Sequence, residues 1–254
     1  MRKILVIMAA FVLTAIAVSG AFASVMDKGV VTAGTEGTYP PFEFYDDNNV
    51  LTGFDVELLA LIGPKIGREI RFVDMAFDGL IPALLTGKID LIAAAMNATE
   101  ERRKVVDFSD VYQVADASVV TRTGGAGIKS MADLKGRRIG VQLGTTEDLY
   151  LSGAGLGAEI KRYQKTNDAI REILLDRIDG VLLDTPVANG YITNDRFAGF
   201  IEIAFKEMIN GPEEGFSFAL RRGDSAFLDA LNGALRELEE SGELDALKVK
   251  YGLK

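Results

Sequence analysis

The sequence has 254 residues, no Cys and no His, and its 37 acidic against 28 basic residues give a net charge of −9. Without Cys there is no disulfide, and without His the common zinc sites, His-based triads and imidazole proton shuttles are excluded. The acidic balance argues against nucleic acid or an anionic membrane surface as a partner.

Arg2-Lys3, the apolar run Ile4 to Val18 and the small-x-small triplet Ala21-Phe22-Ala23 follow the order of a secretory leader. Residues 1–23 are expected to be removed, so that the mature chain starts at Ser24. Loss of Arg2 and Lys3 leaves 26 basic against 37 acidic residues, a net charge of −11. No Cys follows the leader, which speaks against a lipid-anchored form. No later run reaches the ~20 apolar residues that a membrane span needs. The remaining length suffices for a large core in one or two domains.

Gly29 to Gly34 reads as a short β-branched strand ended by glycine. Glu36 to Pro41 is a loop, because two prolines forbid a helix interior. Phe42 to Tyr45 alternates like a strand, and Asp46 to Asn49 is a turn. Phe54 to Ile66 carries apolar residues at 54, 58, 59, 61, 62 and 66, a helical stripe. Glu69 to Val73 is the next strand, Phe77 to Leu85 a short helix, and Lys88 to Ala95 a buried strand. Thr99 is a natural N-cap for the residues that follow, although Arg102 stands where a full capping box wants Glu or Gln. Strands alternating with helices point to a parallel sheet.

A second unit of similar grammar covers roughly 122 to 207. Asp116 to Arg122 reads as a strand, Ser130 caps a short helix to Leu134, and Arg137 to Gln142 is a strand running into Leu143 to Asp148. Thr166-Asn167-Asp168 caps a helix through Asp176, and Gly180 to Leu183 is a buried strand that reaches Asp184. Ile201 to Phe205 and Gly215 to Leu220 read as strands. Ser225 to Ser241 is an amphipathic helix stopped by Gly242, and Leu244 to Tyr251 is a last short helix. The expectation is an α/β chain whose last part completes the first unit: 24–119 with 210–254 as one lobe and 120–209 as the other. Two connections, near Ser118–Arg122 and Met208–Glu214, would form the hinge.

Ligands in open α/β sheets sit beyond the carboxyl ends of the strands. This sequence puts there Glu36, Tyr39, Phe77, Ala94, Ala95, Asn97, Arg102, Gln142, Thr145, Thr146 and Asp184. The set suits a zwitterion. Arg102 offers a planar fork for a carboxylate, Asp184 a partner for an ammonium, and Tyr39 and Phe77 apolar faces. Each has a plainer role open to it: Asp184 as a helix cap, Thr145-Thr146 as a strand-to-helix turn, Phe77 as core, Glu36 and Arg102 as solvated charges.

Four stretches go further. Thr35 to Phe44, Gly53 to Leu58, Asn97 to Arg102 with Val106 to Ser109, and Val141 to Glu147 together resemble the solute-binding proteins (family 3) of polar amino-acid ABC importers. The resemblance runs from about Gly29 to Leu253. It implies a two-lobed periplasmic-binding-protein fold, with two mixed or parallel sheets flanked by helices and joined by a two-strand hinge. It implies that Arg102 and Thr146 take an α-carboxylate, that Asp184 and the Ala95 carbonyl take an α-ammonium, and that Tyr39 and Phe77 sandwich the side chain. Glu36 stands where receptors for basic or amide side chains carry an acid. Ala94, Ala95 and Asn97 replace small hydroxyl residues common in that family. The expected protein is a monomeric periplasmic receptor for an L-amino acid, arginine or lysine first and glutamine or another neutral polar one second, serving an inner-membrane permease. No cofactor or metal is expected. Cyclohexadienyl dehydratases share the scaffold, and Glu36 would be the acid of such an enzyme. An ammonium partner at Asp184 favours a receptor.

Overall fold

The structure is a computed structural model that describes residues 24–125 and 127–254, so the expected leader lies outside the described residues. Apolar β-branched segments form the strands. In chain order these are β1 (Val30–Thr35), β2 (Thr38–Tyr39), β3 (Glu43–Tyr45), β4 (Leu51–Thr52), β5 (Glu69–Asp74), β6 (Leu91–Ile92), β7 (Val106–Phe108), β8 (Ala117–Arg122), β9 (Arg138–Gln142), β10 (Glu159–Tyr163), β11 (Gly180–Asp184), β12 (Ile201–Glu207) and β13 (Ala219–Arg221). The helices are α1 (Phe54–Lys65), α2 (Leu80–Leu85), α3 (Glu100–Arg103), α4 (Thr146–Gly153), α5 (Thr166–Leu174), α6 (Thr185–Ile192), α7 (Ser225–Ser241) and α8 (Glu243–Lys250).

Two mixed sheets result, ordered β5-β1-β6-β13-β7 and β10-β9-β11-β8-β12. β1 pairs in parallel with β5 and β6, whereas β13, arriving from the far end of the chain, enters antiparallel between β6 and β7. The second sheet repeats the arrangement: β9 pairs in parallel with β10 and β11, and β8 is antiparallel to β11 and β12. A small antiparallel sheet, β2-β3-β4, projects from the first.

The expected crossover at Ser118–Arg122 is corrected. Those residues lie inside β8, which pairs along its length with β11 and β12. The chain leaves the first sheet after Phe108 and enters the second at Ala117, so a boundary at 119/120 cuts a strand. The return segment runs beside the outgoing one: Phe216 donates its N–H to the Gln113 carbonyl (2.7 Å), and Tyr112 donates to the Phe216 carbonyl (3.0 Å). Aromatic edges fix this pair against the first lobe. Phe216 meets Phe42 at 4.9 Å between centroids, and Tyr112 meets Phe218 at 4.9 Å. Such pairs contribute roughly 0.5–1.5 kcal/mol beyond area burial.

Helix α1 buries Phe54, Leu58, Leu59 and Ile62, while Leu61, expected on the same stripe, is exposed. Gly53 starts the helix at φ 123°, and a Cβ there would lie 2.2 Å from the Phe42 carbonyl oxygen, so only glycine fits. The expected strand Lys88–Ala95 shrinks to Leu91–Ile92, because Ala95 turns into the left-handed region at φ 42°. Two expected caps differ. Ser130 makes no cap bond and its hydroxyl reaches Asp133, and α5 begins without a side-chain cap because Thr166 turns its hydroxyl to Gln142.

Candidate functional site

The carboxyl ends of β1, β9 and β11 and the turn after β6 face one another across the gap between the two sheets. There they enclose a cavity whose free space is only about 10 Å³. Its walls are Glu36, Tyr39, Glu43, Phe77, Ala95 and Asn97 from the first lobe and Gln142, Thr145, Glu147 and Asp184 from the second. The free space is room for about one water molecule, so a larger guest must part the walls.

Side chains of the two lobes touch directly around it. Tyr39 donates its hydroxyl to Asp184 Oδ2 (2.6 Å), Gln142 Nε2 donates to Glu36 Oε2 (3.0 Å), and Thr146 Oγ1 donates to Asn97 Oδ1 (3.2 Å). Arg102 joins the lobes as well. Nη1 donates to the Asn97 carbonyl (2.8 Å) and Nη2 to the Gly144 carbonyl (3.0 Å), and the guanidinium lies 5.5 Å from the centre of the Phe77 ring. Thr99 caps α3 by accepting from Arg102 N at 3.3 Å, which orients the arginine inward. With only four residues, α3 contributes little dipole, so any anion affinity here rests on the guanidinium. Burial lowers the Arg102 pKa to about 10, with Glu147 and Asp184 opposing the drop, so the group stays charged at neutral pH.

Most of the expected residues are thus brought together. Arg102 and Thr146 stand just behind the wall, bonded to Asn97. Ala94 does not reach the cavity. It is packed in an apolar cluster with Leu80, Leu84, Ile92 and Met96, because the chain turns at Ala95 and only that residue faces in. Phe77 is both core and wall. Asp184 occupies the N-cap position of α6, yet its carboxyl makes no cap bond and turns to Tyr39. Glu36 is buried, accepts from the Thr38 hydroxyl at 2.8 Å, and has its pKa raised by that burial.

Two wall acids were missed from sequence. Glu43 alternates with aromatic residues, a pattern that puts it on the solvent face, yet it is 1 % exposed and its Oε2 has no partner. Glu147 reads as a first-turn helix acid, yet it too is 1 % exposed, with Oε1 unpartnered. Burial raises the pKa of both, and Asp55 adds to the rise at Glu43. Asp55, fully buried one layer deeper, accepts from Ala95 N (2.9 Å) and the Tyr112 hydroxyl (2.7 Å). It therefore ties the turn at the cavity to the outgoing crossing segment. Among the described residues four carboxyls line the cavity, and the Arg102 guanidinium stands beside it. The arrangement favours a guest that brings positive charge and an anionic group small enough for Arg102.

Two α/β lobes with a charged chamber between their strand ends define the bilobal solute-binding proteins. Residues 31–254 match the model of the bacterial extracellular solute-binding proteins, family 3, and the chain belongs to that family. It is 38% identical over 259 residues to the "Arginine-binding extracellular protein ArtP" of Bacillus subtilis (strain 168), covering 99% of this chain and 98% of that one. It is 33% identical over 235 residues to the "L-cystine-binding protein TcyJ" of Escherichia coli (strain K12), covering 91% and 86%. A solved ancestral arginine-binding protein bound to arginine superposes with a TM-score of 0.83 at 38% identity, covering 88% of this chain and 98% of that one. These relatives are named as binding proteins, in line with the expected non-enzymatic role. The protein is an amino-acid-binding receptor of the ABC-importer type. Among the described residues no helix is long and apolar enough to cross a membrane.

Proposed function

We propose that this chain captures one L-amino acid between its lobes, prefers arginine over lysine, and hands it to an inner-membrane ABC permease. The observation that carries this reading is the charge of the cavity: Glu36, Glu43, Glu147 and Asp184 in its walls, with Arg102 at its edge. Arginine supplies a carboxylate for Arg102, an ammonium for Asp184 and a guanidinium that Glu36 and the Tyr39 and Phe77 faces suit. The arginine-binding relatives support the same choice. The ligand acts as a tie between lobes, since only contacts made to both favour the closed form. Export after cleavage near Ala23/Ser24, action as a monomer in the periplasm, and recognition of the closed form by the permease complete the proposal.

A second reading, a neutral polar amino acid such as glutamine, is favoured by one feature. The Gln142 amide already engages Glu36, and the cystine-binding relative is similar over most of the chain. Calorimetry of the mature protein against L-arginine, L-lysine, L-glutamine, L-histidine and L-cystine separates the two. Arginine binding tightest is the expected result. Binding by none of them more tightly than ~1 mM contradicts the amino-acid assignment.

A further inference from the structure

Glu147 and Asp184 come from different elements, the first turn of α4 and the end of β11, and both face the cavity. They are 1 % and 2 % exposed. Each has one oxygen beside a hydroxyl: Glu147 Oε2 lies 3.3 Å from the Thr146 oxygen, and Asp184 Oδ2 accepts from the Tyr39 hydroxyl at 2.6 Å. Each has one left over, Glu147 Oε1 and Asp184 Oδ1. Burial, and then the charge of Glu147 beside it, pushes the Asp184 pKa well above the usual carboxylate range. Two ionised carboxylates buried side by side need either a cation or a proton between them.

Resting on the amino-acid reading above, we propose that Glu147 and Asp184 share one proton, and that an ammonium of the ligand takes its place on binding. The exchange is balanced: the protonated pair and an ammonium ion give the doubly ionised pair bound to that ammonium, and one proton goes to solvent. Glu147 thereby becomes a specificity-determining residue that requires a free ammonium and makes capture weaker in acid. The other charged or titratable groups facing the pair are Arg102 behind Asn97, Tyr39 of β2 and Glu43 of β3. Arg102 favours ionisation of both acids. Burial raises the Glu43 pKa well above the usual carboxylate range, which weakens its charge beside the pair. Burial opposes ionisation of both members and keeps a proton on the pair until a cation arrives. The Thr145 hydroxyl donates to the Gln142 carbonyl at 2.9 Å, and the Thr146 hydroxyl lies 3.3 Å from Glu147 Oε2.

The test is calorimetry of the mature protein with L-arginine at pH 6 to 8 in two buffers of different ionisation heat. Wild type is expected to release close to one proton per arginine, and its affinity to rise about tenfold per pH unit where the pair still holds its proton. Glu147→Gln should reduce that release, since losing the second carboxylate lowers the Asp184 pKa although burial still favours its protonated form. α-N-acetyl-L-arginine, which lacks the ammonium, should bind neither form. Arginine binding to wild type with no buffer dependence of the heat overturns the proposal by itself, whether or not the variant folds. So does an unchanged proton count in Glu147→Gln. Failure of wild type to bind any amino acid overturns the receptor reading together with this one, and is recognised by the absence of any binding heat.

Discussion

Replacing Arg102 by Ala is the sharpest perturbation of the site. The guanidinium is 7 % exposed and makes three contacts: the Asn97 carbonyl at 2.8 Å, the Gly144 carbonyl at 3.0 Å and the Phe77 ring at 5.5 Å. To grip a carboxylate through two parallel bonds it must give up at least the Gly144 carbonyl, and that lost bond offsets part of the gain. Truncation leaves the ligand carboxylate buried without a partner, which costs about 3–5 kcal/mol. With the Gly144 bond subtracted, the lower end applies, about 3 kcal/mol or roughly a hundredfold in Kd. Arg102→Lys keeps the charge and loses the fork, so its loss should be smaller. Calorimetric titration with L-arginine, with circular dichroism to verify folding, reads both. A change under tenfold for the folded Arg102→Ala protein refutes the assignment of Arg102 as carboxylate partner.

Three further outcomes follow from the same geometry. Burial raises the Asp55 pKa from 3.8 to about 7, so Asp55 favours the folded state fully below pH 4 and loses that advantage as pH rises to 7. The difference in unfolding free energy between wild type and Asp55→Asn should therefore fall by about 3 kcal/mol between pH 4 and pH 7 in denaturant titrations. A constant difference contradicts it. Glu36→Gln removes the acid nearest Gln142 and should weaken arginine more than glutamine, a ratio that competition calorimetry measures; equal losses for both argue that Glu36 meets no cationic group. Gly53→Ala forces a Cβ against the Phe42 carbonyl at φ 123° and should destabilise the first lobe by at least about 2 kcal/mol, visible as a lower Tm. An unchanged Tm contradicts the steric argument.

Much of the frame was legible in the sequence because burial and period agree there. Helix α7 begins and ends where its stripe and Gly242 put it, and β5 and β11 follow their apolar runs. Strand β10 was missed: Lys161 and Arg162 break its apolar pattern, which an edge strand tolerates because one side faces solvent. The end of the β6 run was misread because nothing in Ala93-Ala94-Ala95 announces a left-handed residue; the turn is held from outside by Asp55. The same gap explains the site. Arg102 and Asp184 were found because they end recognisable elements. Glu43 and Glu147 were overlooked because local pattern assigns both to solvent, whereas both are buried in the wall of the cavity between the lobes.

A crystal structure of the mature protein with L-arginine tests the central claim most directly. The account predicts one arginine in the interlobe cavity, its carboxylate on Arg102, its ammonium between Asp184 and Glu147 and its guanidinium toward Glu36. An arginine bound outside the cavity, or inside it with its carboxylate turned to Glu36, contradicts the account.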